Sequence, residues 1–89
     1  MGLVRLRREG LVWHEVGGEV ILLDLESSVY FIAKGSGSLL ISSLTEGISE
    51  QTLLERVLAH YETDEETARA DIAEFLKQLD DQHMLEHVE

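Results

Sequence analysis

Eighty-nine residues suffice for one domain, and a chain of this size buries roughly 60–65% of the surface it exposes when unfolded, enough for one modest core. Hydrophobic residues at 44% and charged residues at 28% lie near the globular average, which excludes a disordered tail, while a formal charge of −11 sets the chain against phosphate backbones and anionic lipid surfaces. The absence of cysteine removes disulfides, thiolate metal sites and thiol nucleophiles together.

The first ten residues read as a mobile segment ahead of a single domain spanning 11–86. They hold Arg5, Arg7 and Arg8, three of the seven cations, so the domain itself is more acidic than the average. That acidity keeps a small domain soluble, and it would also draw in a basic peptide. No signal-peptide core is present, Leu6 stands where a myristoylation signal needs Ser or Thr, and no apolar run approaches bilayer length; a cytoplasmic location is the expectation.

From Leu11 to Ala33 the pattern is strand-like and breaks twice. Gly17-Gly18 is a two-residue hairpin signal, because glycine tolerates the positive φ of primed turns. It predicts pairing of Val16 with Glu19, His14 with Ile21 and Val12 with Leu23, with Trp13 and Leu22 on the opposite face. The second break, Glu26-Ser27-Ser28, precedes a third strand, Val29-Tyr30-Phe31-Ile32-Ala33. Both sheet faces are apolar; one must cover the helices, and the other is either overlaid by terminal segments or free for a partner.

After the strands, Ser36 or Ser38 can cap a short helix through Leu39, Leu40, Ile41 and Leu44 that stops at Glu46-Gly47. Ser49 caps a second helix carrying Leu53, Leu54, Val57, Leu58 and Tyr61. Thr63-Asp64-Glu65-Glu66 reads as a capping box opening the third and longest helix, in which Ala68, Ile72, Phe75, Leu76 and Leu79 recur at helical spacing as far as about Gln82. Three antiparallel strands followed by three helices make an α+β domain of winged-helix-like build. The third strand has no later strand to pair with, so its outer edge presents unpaired N–H and C=O groups, which is what β-strand addition uses.

Reactive constellations are weak. His83 and His87 are four apart and could share a helix face, but they fall at a fraying chain end, and two solvated histidines is the simpler reading. His14 and His60 fall on different elements with no nucleophile beside either. Ser27, Ser28, Ser36, Ser38, Ser42, Ser43 and Ser49 fall where turns and helix starts need them. Gly35-Ser36-Gly37-Ser38 lacks the lysine and the spacing of a phosphate loop. No catalytic residue, cofactor or metal is therefore expected. Asp71 and Glu74 flank Ile72 and Phe75, placing carboxylates beside apolar groups and suiting a ligand of mixed character.

The order of elements, with Leu22-Leu23-Asp24-Leu25-Glu26-Ser27-Ser28-Val29-Tyr30-Phe31 and Thr67-Ala68-Arg69-Ala70-Asp71-Ile72-Ala73-Glu74-Phe75-Leu76, resembles the PqqD-like family over nearly all of Leu11 to Glu86. Members are the recognition elements of ribosomally made, post-translationally modified peptide pathways. The chain departs from the family at Ser28, where Gly is frequent, at Lys34, where Asn is frequent, and in a first helix without an aromatic residue.

The resemblance implies that a precursor's leader peptide pairs with the third strand and packs toward the third helix. Backbone groups of Ser28, Val29, Tyr30, Phe31, Ile32 and Ala33 would supply the ladder. Side chains of that strand, with Ala68, Asp71, Ile72, Phe75, Leu76 and Leu79, would line the site; which alternate set faces the ligand depends on the second turn. It further implies a non-catalytic, stand-alone protein, a monomer or weak dimer, that delivers the leader to a leader peptidase and a cyclase of a lasso-peptide pathway or to another modifying enzyme. The alternative within the family is the peptide chaperone of pyrroloquinoline quinone synthesis. A winged-helix DNA-binding domain shares the same parts, but its third helix would need exposed cations, and here Arg69 and Lys77 stand against Asp64, Glu65, Glu66, Asp71, Glu74, Asp80 and Asp81; no nucleic-acid or membrane partner is expected.

Overall fold

A computed structural model describes residues 2–88. In chain order its elements are β1 (Leu3–Leu6), β2 (Leu11–Val16), β3 (Glu19–Asp24), β4 (Tyr30–Lys34), α1 (Ser36–Ser43), α2 (Glu50–His60), α3 (Glu65–Asp81) and β5 (Leu85–Val88). The fold is α+β: an antiparallel sheet of order β2-β3-β4, then three helices packed on one of its faces.

Gly17 and Gly18 both take positive φ, 59° and 83°, and the β2–β3 register is the one that a two-residue primed turn dictates, with Val16 opposite Glu19, His14 opposite Ile21 and Val12 opposite Leu23. The β3–β4 turn is held differently. Asp24 accepts from the Glu26 N–H at 2.9 Å and from Arg7 Nη2 at 2.8 Å, while the Ser28 N–H donates to the Asp24 carbonyl at 2.8 Å. That geometry puts Ser28 at φ 62°, a left-handed conformation in which glycine is at ease and serine is strained.

Helix starts follow side-chain chemistry at two of three places. The Ser49 hydroxyl accepts from the Thr52 N–H at 3.1 Å, as its sequence context predicts. For α3 the cap is Asp64, one residue later than the capping box reading, and its carboxylate accepts from the Thr67 N–H at 2.6 Å. Neither Ser36 nor Ser38 caps α1. Strand β4 runs on to Lys34, so the chain must turn at once into the helix, and Gly35 makes that turn at φ 58° with no side-chain cap. Helix α3 ends in a paired reversal, Met84 N–H to the Leu79 carbonyl at 2.9 Å and His83 N–H to the Asp80 carbonyl at 3.0 Å, with His83 at φ 59°. His83 and His87 therefore share no helix face: the first occupies this turn and the second lies in β5.

Residues 1–10, read from the sequence as a mobile segment outside the domain, contain β1. It pairs antiparallel with β5, Leu3 opposite Val88 through Leu6 opposite Leu85, and exchanges two 2.9 Å backbone hydrogen bonds with Ile48. Val4 and Leu6 point into the core alongside Ile41, Leu44, Leu53 and Met84. The terminal strands thus close the helical side of the molecule, and the opposite sheet face, with Val12, Ile21, Leu23, Tyr30 and Ile32, stays uncovered. Among the described residues no helix is long and apolar enough to cross a membrane.

Candidate functional site

Strand β4 is an edge: among the described residues it pairs with β3 alone. The phase of its ladder is set by the Asp24 N–H donating to the Val29 carbonyl at 2.8 Å, which makes Leu22 with Phe31 and Val20 with Ala33 the hydrogen-bonded pairs. Phe31 and Ala33 thus spend their N–H and C=O groups on β3. Tyr30, Ile32 and Lys34 aim theirs at the open edge. Side chains follow the opposite alternation, so Phe31 and Ala33 face the helices while Tyr30 (63% exposed) and Ile32 (46%) face outward.

Beside this edge runs a groove of about 370 Å³ between β4, the first turn of α1 and the outer flank of α3. Phe31 meets Phe75 edge to face, centroids 5.7 Å apart at 84°, forming an aromatic wall. Gly37 suits this closeness: a Cβ there would stand 3.2 Å from both the Ala33 Cβ and Phe75 Cε1, so a larger residue requires those side chains to give by a few tenths of an ångström. Asp71, Glu74 and Gln78 form the polar rim on α3, and Lys34, paired with Glu19 at 3.3 Å, sits at the end of the strand. A second, smaller hollow of about 140 Å³ adjoins it past Ser36, Leu40 and Asp71, lined by Val57, Tyr61, Thr63, Ala68 and Ile72.

Of the residues singled out from sequence, Phe31, Ile32, Ala33, Asp71 and Phe75 come together on the groove. Tyr30 does not line it, and belongs to the site only through its place in the free backbone row of β4. Ser28 and Val29 do not extend the free row: the Ser28 N–H is bonded to Asp24, and Val29 engages Asp24 through its carbonyl and the Ser27 hydroxyl through its N–H. Ala68 and Ile72 reach only the adjoining hollow. Leu76 and Leu79 are core residues at 6% and 0% exposure, and Leu76 borders a different depression with Val4 and Leu85.

Lys34, Ser36, Gly37, Leu40, Glu74 and Gln78 line the groove without having been singled out for it. Gly37 carried a usable signal, since a glycine inside an apolar helix marks close packing. Beside the other edge, β2, lies a hollow of about 140 Å³ lined by Leu6, Arg7, Arg8, Leu11, Trp13 and Thr45.

The charged groups whose protonation is perturbed lie away from the groove and hold the frame. Asp24 is held below the ordinary carboxyl range first by Arg7, then by the Glu26 N–H. Glu86 is lowered chiefly by Arg5, whose Nε donates to it at 2.8 Å. Asp64 is lowered by its capping bond from Thr67. Among the described residues no three His, Asp or Glu side chains converge as a metal ion would require.

A sheet edge with a free polar row above an aromatic-walled groove defines the class: a small α+β domain shaped to hold an extended segment rather than to enclose a small molecule. The chain belongs to the PqqD family, whose model, described as Coenzyme PQQ synthesis protein D (PqqD), matches residues 19–85. It is similar to the structure of TbiB1 in complex with the TbiA(beta) leader peptide, at 29% identity and a TM-score of 0.84 over 92% of this chain and 94% of that one. It also shares its fold with lasso peptide synthetase B1 complexed with the leader peptide, at 24% identity and a TM-score of 0.81 over 93% of this chain and 96% of that one. Among curated proteins none matches.

Proposed function

We propose that this chain binds the leader region of a ribosomally made precursor peptide as a fourth strand on β4. It then presents that leader to separate processing enzymes, a leader peptidase and a cyclase of a lasso-peptide pathway. The observation that carries the reading is the unpaired row of Tyr30, Ile32 and Lys34 directly beside the groove walled by Phe31 and Phe75. The strand supplies main-chain hydrogen bonds, which any sequence can make, and the groove supplies selection through alternate side chains. Each apolar leader side chain buried there contributes roughly 1.5–3 kcal/mol, so three such contacts, added to the main-chain ladder, offset the ordering cost of about 2–5 kcal/mol for a disordered peptide.

Likeness to TbiB1 held with a leader peptide supports leader binding, and the fold shared with a lasso peptide synthetase B1 favours the lasso-peptide assignment over quinone-cofactor synthesis. In this role the chain is a carrier, and the chemistry belongs to its partners. DNA binding is disfavoured by α3, whose exposed face carries Glu65, Glu66, Asp71 and Glu74.

The test is an amide-shift titration of the isotopically labelled chain with a leader peptide, the TbiA(beta) leader being the first probe. Shifts and exchange protection at the amides of Tyr30, Ile32 and Lys34, with ring shifts at Phe31 and Phe75, are expected. Perturbation confined to β2 or to the uncovered sheet face would refute strand addition at β4.

A further inference from the structure

The groove is chemically lopsided. One wall is aromatic; the rim on α3 carries two carboxylates, Asp71 and Glu74, both exposed and neither within 4 Å of a cation among the described residues. The one cation on the groove, Lys34, is turned to Glu19. Asp71 also lines the adjoining hollow with Ser36, which places it at the Lys34 end of the strand, one helical turn from Phe75. Four residues of helix advance about 6 Å. Two residues of strand advance about 6.8 Å, and those two side chains share a face. A peptide strand laid on β4 therefore presents successive groove-facing side chains at the spacing that separates Phe75 from Asp71.

We propose, building on the strand-addition reading, that the groove selects a leader bearing a large apolar residue with a Lys or Arg two positions away. The apolar side chain lodges against Phe31 and Phe75, and the cation meets the carboxylates of Asp71 and Glu74. Because Asp71 lies toward the Lys34 end, antiparallel addition puts the cation before the apolar residue in the leader, and parallel addition puts it after. The chain's charge of −11 adds long-range attraction for such a peptide, and a leader with Glu at that position meets like charge on a rim already crowded with it.

The experiment pans a displayed library of short peptides, each with one fixed central Phe, against the native chain and against a D71K/E74K variant. Both substituted residues are exposed, and circular dichroism checks the variant's fold. Enrichment of Lys or Arg two positions from the Phe is expected with the native chain, replaced by Asp or Glu with the variant. A selected peptide remade with Glu for that Lys should lose about tenfold in affinity at low ionic strength and less at high. Binders without a charge preference at that spacing overturn the cation site and leave strand addition standing, as does a preference unchanged in the variant. A library yielding no binder to the native chain tells against strand addition itself, and the cation site falls with it. Should the variant not fold, the salt dependence of the Lys and Glu peptides on the native chain decides alone: equal affinities at low salt overturn the proposal.

Discussion

Phe75 carries two loads. Its ring edge packs against Phe31, and the same ring borders the groove while its backbone belongs to a helix whose inner face is core. Phe75→Asp should therefore lower leader affinity by well over tenfold, since it removes an apolar wall and adds a third carboxylate to the rim. Calorimetry with circular dichroism as the fold check reads it, and an unchanged affinity in a folded variant would count heavily against the groove. Ser28 tests the frame rather than the site. Its φ of 62° costs a residue with a Cβ about 1–2 kcal/mol, whereas glycine's extra freedom in the unfolded chain costs about 0.4–1 kcal/mol. The first effect wins, so Ser28→Gly should stabilise the chain by about 0.5 kcal/mol in urea unfolding, with the slope unchanged.

At the scale of one element, β4 separates folding from binding residue by residue. Ile32 sends its N–H to the open edge, so Ile32→Pro removes no hydrogen bond to β3, yet it removes one that a visiting strand would use and adds a ring that blocks close approach. Thermal unfolding should show a folded protein while peptide titration shows affinity lost. Phe31→Pro, which breaks the internal ladder, should unfold it; identical behaviour of the two variants would mean that the phase of the ladder is other than described. That phase marks the boundary of what the sequence reveals. Gly17-Gly18 fixes the β2–β3 register locally, and it was readable. The β3–β4 turn is set by Asp24 gathering the Glu26 N–H and the distant Arg7, a contact invisible to any local pattern, so the free positions Tyr30, Ile32 and Lys34 could not be picked out. Helix α3 shows the same limit. The spacing of Ala68, Ile72, Phe75, Leu76 and Leu79 reveals an apolar stripe, but only the packing of α2 and β5 against α3 decides that Leu76 and Leu79 are core, and that of α1 and β4 leaves Phe75 at the groove.

Across the whole molecule the terminal strands are the part least legible in sequence, because four-residue strands show too little alternation and their partners lie some eighty positions apart. Besides their own ladder and the burial of Val4 and Leu6, a small set of arginine bonds ties them to the rest of the fold. Arg7 donates to Asp24 in the sheet, to the Glu9 carbonyl, and to the His83 carbonyl at the end of α3 at 2.9 Å, while Arg5 pairs with Glu86 across β1 and β5. Arg5 and Arg7 thus serve as internal clamps rather than as parts of a basic arm. Both carboxylates, and the capping Asp64, titrate below their ordinary values of 3.8 for Asp and 4.5 for Glu, so each binds protons less readily folded than unfolded. Their stabilisation is complete above those values and is lost as pH falls through the depressed folded values. Chemical denaturation followed from pH 6 downward should accordingly hold steady to about pH 5 and then decline below about pH 4. In Arg7→Ala, Asp24 loses the largest cause of its depression, so the acid decline should shrink while stability at neutral pH falls, and the two denaturation profiles should converge in strong acid. Profiles that stay parallel down to the lowest pH would show that the Arg7 clamp acts through its bonds to the Glu9 and His83 carbonyls rather than through Asp24.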